Sequence, residues 1–456
     1  MNLYDLSRRM CEWDELSQWR QRFRRTLHSD HEGELYSPFL LLGLPGISAD
    51  EQHVSAERWM GARLSATSFV RAERKFRDHS APSQRIRIGY LSNDFHDHAT
   101  AFLMIELFEH HDREQFELFA YSYGKDDGKA MRVRLESSFE HFVDVQALTI
   151  SETAETIHQD DIDILIDLKG FTRGTRTEVL AHRPAPVQVN FLGYPGTLGP
   201  DLCDYIITDH FLTPHNTQAD YSERFAYLPD SYQPRGCHAP IAVAPSRASV
   251  GLPETGFVFC CFNQSSKITP DIFAIWCRLL SHNPDSVLWL LADRMAEGNL
   301  KNLAMQQGVL PSRLVFAEHV AQEDHLARLQ LADLLLDTLP YNAHTTASDA
   351  LWAGVPLVTC SGDTFASRVA GSLLHAVGLP ELITDDLESY FELALALSKD
   401  SARYESLVAR LWANRLTTPL FDIKRYTLHL EDLYRQMWGR FQSGEAPTAL
   451  DSTLDR

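Results

Sequence analysis

Lys267 closes the run Cys260-Cys261-Phe262-Asn263-Gln264-Ser265-Ser266-Lys267, which starts as a buried strand would. A lysine at the carboxyl end of such a strand points into a cleft. There it could neutralise a leaving diphosphate without a metal; a solvated loop lysine fits the same spacing. Asn342-Ala343-His344-Thr345-Thr346-Ala347-Ser348-Asp349 follows a strand ending at Asp337-Thr338 and opens a helix that runs to Gly354. Thr346 and Asp349 have capping-box spacing, with Asp in place of Glu or Gln. Two hydroxyls beside unsatisfied N–H groups at a helix start make a cradle for a diphosphate. An ordinary cap without a ligand reads equally well.

Histidine supplies the candidates for proton transfer, because it titrates near neutral pH. His98 lies in Asn93-Asp94-Phe95-His96-Asp97-His98, just past a strand. His158 lies on a helix, one turn after Glu155, which could orient it. The chain has 20 histidines, so most of them must do other work. His96, Asp97 and His98 also raise a metal reading, but His-Glu-x-x-His spacing and a cysteine cluster are both absent, so no metal is expected. Gly193-Tyr194-Pro195-Gly196-Thr197 is a turn after a strand, where glycine would let backbone approach a ligand; a plain turn is the alternative. Ser361 to Val369 likewise follows a strand and opens a helix.

These residues need a scaffold, and the strand–helix rhythm provides it. A first series of strands is expected at 85–91, 116–123, 142–145, 162–168, 187–191 and 205–207. A second is expected at 257–262, 287–291, 314–316, 334–337 and 356–359. Helical stretches lie between most of them, as in a doubly wound parallel sheet. The expected architecture is α/β, with two facing Rossmann-like lobes and a ligand cleft at the carboxyl ends of both sheets. The expected division is a helical segment at 1–80, a first lobe at 81–235, a linker at 236–250, a second lobe at 251–423, and a C-terminal helix and tail at 424–456. The helix 424–440 is amphipathic, and 445–456 reads as a frayed tail. Neither Gly-x-Gly-x-x-Gly after the first strand nor a P-loop is present, which disfavours dinucleotide dehydrogenases and P-loop NTPases.

Composition narrows the partners. The chain has 456 residues, 44% apolar and 23% charged, too long for one core and ordinary for a globular protein. Lys plus Arg number 42 against 62 Asp plus Glu, a net charge of −20. So acidic a surface repels nucleic acid, while a local basic pocket could still hold a phosphate-bearing ligand. Seven scattered cysteines without Cys-x-x-Cys fit a reducing compartment. No apolar run is long enough to span a bilayer and no signal peptide is read at Met1, so a cytoplasmic protein is expected.

Taken in order, Arg85 to Thr100, Ile157 to Gly174, Arg183 to Pro186 with Gly193 to Thr197, Phe262 to Pro270, Asp337 to Gly354 and Ala366 to Val369 resemble the O-GlcNAc transferase family. The resemblance runs over about residues 10 to 440. It implies a GT-B fold and inverting transfer of a sugar, N-acetylglucosamine ahead of glucose, from a uridine-diphosphate donor to protein Ser or Thr. The nucleotide sugar is then a co-substrate, and no cofactor is expected. By the same resemblance, Gln264 and Lys267 contact the donor diphosphate, Thr345 and Thr346 hold it from the helix start, and Asp349 takes the ribose hydroxyls. His325 and Arg328, in the run opening at Ala321, lie at the nucleobase. His344 lies by the sugar phosphate, His98 and His158 match catalytic-site histidines, and Gly193, Pro195, Gly196 and Thr197 fall on the substrate side.

Departures from the family accompany the likeness. Animal members carry tetratricopeptide repeats that present the acceptor; here at most a remnant is expected. The segment between lobes is short. Ser266 stands where animal enzymes have an aromatic, and the stretch before His325 is one residue shorter. Acceptor docking is then expected to rely on a repeat-protein or acceptor partner, or on an apolar face of helix 1–20. Two alternatives remain: a guanosine-diphosphate-fucose-dependent fucosyltransferase and a non-catalytic nucleotide-sugar-binding paralogue.

Overall fold

The computed structural model describes residues 3–28, 35–66, 74–76 and 85–454. Its strands are β1 (Ile86–Ser92), β2 (Phe116–Ser122), β3 (His141–Asp144), β4 (Ile164–Asp167), β5 (Val187–Asn190), β6 (Tyr205–Asp209), β7 (Arg224–Leu228), β8 (Val258–Cys261), β9 (Val287–Leu291), β10 (Leu314–Ala317), β11 (Leu334–Leu336), β12 (Leu357–Cys360), β13 (Ile383–Thr384) and β14 (Leu450–Asp451). They form two sheets, ordered β14-β7-β6-β5-β4-β1-β2-β3 and β10-β9-β8-β11-β12-β13. Pairing is parallel throughout, as between β1 and β4 and between β8 and β11. Helices cover both faces, so central strands such as Ile164-Leu165-Ile166 are buried on both sides and read as unbroken apolar runs.

In each sheet the strand order reverses once. From β1 the chain winds outward through β2 and β3, then returns to β4 and winds the other way. From β8 it winds through β9 and β10, then restarts at β11. A crevice at the carboxyl ends of the strands follows from that reversal.

The chain divides into two compact units. One holds Thr26–Leu41, Ser48–Gly236 and Asp422–Arg456; the other holds Met1–Arg25, Leu42–Ile47 and Cys237–Phe421. The N-terminal helices are thus shared between the two units. The helix Ala49–Ala66 opens at Ser48, where Ser48 Oγ accepts from the Glu51 N–H and Glu51 accepts from the Ser48 N–H. The expected helical segment at 1–80 is helical among the described residues as far as Ala66; 67–73 and 77–84 lie outside the described residues.

The C-terminal helix Ile423–Gln442 is bound to the first sheet's unit by a buried polar chain. His111 is wholly buried, and burial pushes its pKa down, so the ring is neutral. The Glu431 carboxylate can only accept, so His111 Nδ1–H donates to it at 2.9 Å, and the Asp112 N–H donates to the same oxygen at 2.8 Å. His111 Nε2 must then accept from the Tyr90 hydroxyl at 2.8 Å, which leaves the Tyr90 oxygen to accept from Tyr434 at 3.2 Å.

Beyond this helix the expected frayed tail is corrected. Leu450 and Asp451 add to β7 as an edge strand, Leu450 is buried, and the Asp432 carboxylate accepts from the Thr453 N–H at 2.7 Å. The cause is an unfilled edge at β7, itself absent from the expected strands because Arg224-Phe225-Ala226-Tyr227-Leu228 runs straight into proline-rich sequence. The expected helix 1–20 forms as two helices, Leu3–Met10 and Leu16–His28. Tyr4, Trp19 and Phe23 are buried, the Tyr4 ring meeting those of Trp19 and Phe23 at 5.8 and 5.3 Å, while Leu3 is exposed.

Glu431→Ala strips the acceptor from the buried His111 ring N–H and the half-buried Asp112 N–H. It is expected to cost about 3 kcal/mol in urea unfolding, with the first sheet's unit losing stability.

Candidate active site

The second sheet's unit places most of the expected donor residues at its strand-order reversal. Past β8 the chain tightens into a single turn, Ser265–Lys267, with Gln264 exposed at its start. The turn is braced by the N-terminal helix Leu3–Met10: Ser265 Oγ donates within 2.9 Å of the Arg9 carbonyl and 2.8 Å of Asp293, and Cys11 Sγ donates to the Ser265 carbonyl. Lys267 donates from Nζ to the Asn342 carbonyl at 2.7 Å and lies 3.7 Å over the Tyr341 ring. Burial lowers its pKa, and the Asp337 carboxylate opposes that shift.

Asp337, 1% exposed at the end of β11, shapes the facing loop. One carboxylate oxygen accepts from the Thr338 and Ala343 N–H groups at 2.7 and 2.6 Å; the other accepts from Thr359 Oγ1 at 2.6 Å. The loop is curled back by these bonds and delivers the chain into the helix Thr345–Ala353.

His344 is the N-cap of that helix and makes no side-chain cap bond. The expected Thr346/Asp349 capping box is corrected: both threonines lie inside the first turn, and Asp349 accepts from Gln322 Nε2 at 3.0 Å. The first helical bonds come from Ala347 and Ser348 to the His344 carbonyl, so the Thr345 and Thr346 N–H groups lead the helix. Burial holds the His344 pKa well below its ordinary value, with Lys267 adding to the effect, so the ring is neutral; its Nε2 lies 3.5 Å from the Ala366 carbonyl.

The nucleobase residues form a second cluster in the same unit. Ala321 is the exposed N-cap of the helix Gln322–Leu329. Arg328 is buried, lies 4.9 Å over the Phe262 ring, and donates to the Glu318 carbonyl and to His325 Nδ1. His325 is therefore held edge-on to Phe262, with its Nε2 turned away from the arginine. A cavity of about 480 Å³ opens beside this helix, lined by Trp289, Phe316, Val320, Asp324 and Arg328 among others.

The first sheet's unit holds the other group. His98 is the N-cap of the helix Ala99–His110, and its Nδ1 accepts from the Thr100 N–H at 3.2 Å. Asp94 lies 3.4 Å from the same nitrogen and accepts from the Lys169 ammonium at 2.7 Å. Asp97 pairs with Lys129 at 2.5 Å. Sequence reasoning did not single out Asp94 or Lys169, nor Asp337, Tyr341 or Gln322. The signal was there for the first pair: an Asp and a Lys follow β1 and β4, the strands on either side of the reversal.

His158 is not brought to His98. It ends the helix Ile150–Gln159, whose next residue, Asp160, takes a bond from Arg87 at the start of β1; His98 follows the other end of that strand. A helix packed antiparallel to its strands returns the chain to their amino ends, and there His158 meets Phe76. Glu155 accepts from Arg74 at 2.9 Å rather than orienting His158.

The glycine turn also has an internal reason. A Cβ on Gly193 would stand 2.0 Å from the Leu168 carbonyl oxygen and 2.9 Å from Lys169 Cα, so the close approach is to the loop after β4. Pro195 and Gly196 are buried, the Gly196 carbonyl accepts from Asn190 at 2.8 Å, and Thr197 donates to buried Glu223 at 2.6 Å. Gly193→Ala is expected to destabilise the protein by about 3 kcal/mol through overpacking, read as a lower urea midpoint.

Comparison with known proteins places this geometry. The glycosyl transferase family 41 profile matches residues 62–241 and 236–430. The probable UDP-N-acetylglucosamine–peptide N-acetylglucosaminyltransferase SEC of Arabidopsis thaliana is 41% identical over 372 residues, 80% of this chain and 38% of its own. The UDP-N-acetylglucosamine–peptide N-acetylglucosaminyltransferase of Caenorhabditis elegans is 33% identical over 476 residues, covering 79% of this chain and 41% of its own. The chain thus spans about two fifths of the length of these curated relatives. Among solved structures, a variant of Thermobaculum terrenum O-GlcNAc transferase superposes with a TM-score of 0.84 at 29% identity, covering 96% of this chain and 83% of that one. Two parallel Rossmann-like lobes of the GT-B kind and a profile match over most of the sequence agree: the chain belongs to glycosyl transferase family 41.

Proposed function

We propose that this chain transfers N-acetylglucosamine from UDP-N-acetylglucosamine to Ser or Thr hydroxyls of a protein acceptor, with inversion at the anomeric carbon. The observation that carries the reading is Lys267. Its ammonium stands at a strand-order reversal in the same unit as a helix start whose N-cap puts no side chain on the first turn. That pairing suits two phosphates. The names of the relatives support the donor and the acceptor class.

In this reading Gln264, Lys267, Thr345 and Thr346 hold the diphosphate, and Asp349 with Gln322 takes the ribose. Ala321, His325 and Arg328 hold the base. The acceptor oxygen bonds to the anomeric carbon as the carbon–oxygen bond to phosphate breaks, and the electron pair leaves with UDP. Lys267 and the helix start stabilise that charge, the part a divalent metal plays elsewhere, so we propose a metal-independent reaction. His98 is the side chain proposed to meet the acceptor hydroxyl. The cytoplasm is the proposed compartment, supported by seven free cysteines. Among the described residues no helix is long and apolar enough to cross a membrane.

Lys267→Ala is expected to lower transfer about 10²–10³-fold with an unchanged circular dichroism spectrum; full activity in that variant would remove the assignment. Thermal shifts with UDP-N-acetylglucosamine, UDP-glucose and GDP-fucose identify the donor, and a ligand at a hundred times its Kd should stabilise by about 2.7 kcal/mol. A response to GDP-fucose alone would replace the donor, and binding of UDP-N-acetylglucosamine with no turnover on any acceptor would favour the non-catalytic reading. EDTA treatment is expected to leave the rate unchanged, whereas a rate restored only by added Mg²⁺ or Mn²⁺ would end the metal-free mechanism.

A further inference from the structure

Asp94, His98 and Lys169 come from the loops after β1 and β4, the two strands that meet where the order of the first sheet reverses. Lys169 and Asp94 pair at 2.7 Å with side chains only 5% and 7% exposed, whereas the His98 side chain is 41% exposed. Only the histidine reaches outward. Its Nδ1 has two neighbours: the Thr100 N–H at 3.2 Å and Asp94 Oδ2 at 3.4 Å. They make opposite demands on one atom. The N–H needs a bare Nδ1, which puts the ring proton on Nε2. The carboxylate accepts only and needs Nδ1–H, which leaves Nε2 bare. The outcome decides whether His98 shows a ligand a donor or a base.

We propose that Lys169 and Asp94 are a positioning pair that holds His98 as the Nε2–H tautomer, so that the histidine presents a proton donor. The Asp94 oxygen facing His98 is the one that already accepts from the Lys169 ammonium, and Thr100 Oγ1 reaches it as well, at 3.4 Å. A charge-assisted bond at 2.7 Å outcompetes a neutral N–H donor at 3.4 Å. With that oxygen already accepting from Lys169 and Thr100, Nδ1 is left to cap the helix. The charged or titratable groups facing the ring are Asp94 and His96 on its own loop and Lys169 from the loop after β4. Burial lowers the His98 pKa; Asp94 opposes this, and Lys169 and His96 add to it.

This deepens the proposed function and rests on it for its catalytic meaning. His98 then donates from Nε2 to the acceptor oxygen or to a sugar oxygen and orients it. The hydroxyl proton, released as the new carbon–oxygen bond forms, goes to an oxygen of the departing diphosphate.

The test is the tautomer itself. In the full chain with ¹⁵N-labelled histidines, the His98 signals are assigned by their loss in His98→Gln, and two-bond ¹⁵N–¹H patterns read which nitrogen is protonated. The wild type is expected to be Nε2–H at neutral pH. Lys169→Met frees Asp94 to take Nδ1–H and to favour the cation. It is therefore expected to switch the tautomer and raise the His98 midpoint by about one pH unit, and Lys169→Arg should restore both. In transfer assays Lys169→Met should be slowest above its raised midpoint, where the neutral Nδ1–H ring has no Nε2 proton to donate, and should recover as pH falls and the cation, which carries Nε2–H, forms. A wild type already in the Nδ1–H form would overturn the proposal, as would Lys169→Met leaving both tautomer and midpoint unchanged. Asp94→Asn/Lys169→Met carries neither charge, serves if the single variant does not fold, and should keep Nε2–H; Nδ1–H there would remove the carboxylate from the argument. The spectra need no donor or acceptor. A chain without transferase activity would therefore sink the proposed function and leave the tautomer result standing, and an active chain with the other tautomer would sink only this inference.

Discussion

Parallel strands put all their carboxyl ends on one edge, and a crossover helix must return the chain to the opposite edge. Where strand order reverses, neighbouring loops leave in opposite directions and cannot fill the space above their strands. Both sheets meet that condition once, between β1 and β4 and between β8 and β11. The residues with the most chemical potential follow from it. Asp94 and His98 leave β1, Lys169 leaves β4, Lys267 leaves β8, and the loop from Asp337 to His344 leaves β11. No other strand pair in either sheet could present side chains from two diverging loops in this way.

The two reversals use the same device with different results. Asp167 at the end of β4 accepts from the Lys169 and Gly170 N–H groups, and Asp337 at the end of β11 accepts from those of Thr338 and Ala343. A buried carboxylate thus curls each loop and is itself strained toward protonation; burial raises Asp167 to about 6. A lysine accompanies each. Lys169 is closed in an ion pair with Asp94, its charge already spent. Lys267 is held by a carbonyl and an aromatic face, partners that position an ammonium without neutralising it. One lysine therefore suits an internal structural charge and the other an incoming anion.

Much of this was legible from residue order alone. Strand–helix alternation placed β1 to β6 and β8 to β12 to within a residue or two, because fully buried strands are continuous apolar runs, but not β7, β13 or β14. Lys267 and the helix start at Thr345 were visible as strand-end residues. Direction was not legible: His158 is a histidine on a helix in sequence, and only the antiparallel packing of that helix sends it to the amino ends of the strands. Reasons were also hidden. Gly193 reads as room for a ligand, yet its missing Cβ makes room for the Leu168 carbonyl. Asp337 reads as the polar end of a strand, and its three bonds reach as far as Thr359, a distance in sequence that no local pattern encodes. Short edge strands such as β14 carry too few residues for periodicity to register.

The return of Ile423–Asp451 to the first sheet's unit bears on how the chain emerges from a ribosome. The segment Cys237–Phe421 holds all of β8 to β13, so that sheet can close as soon as its own residues are out. The first sheet is made earlier but waits longer. Until Glu431 and Tyr434 arrive, the His111 N–H lacks its acceptor and the Tyr90 oxygen lacks its donor, and until Leu450 arrives the β7 edge is bare. Synthesis order and folding order are therefore inverted. The part of the nascent protein most in need of a chaperone is its earlier-made half, held incomplete until Leu450 has been added.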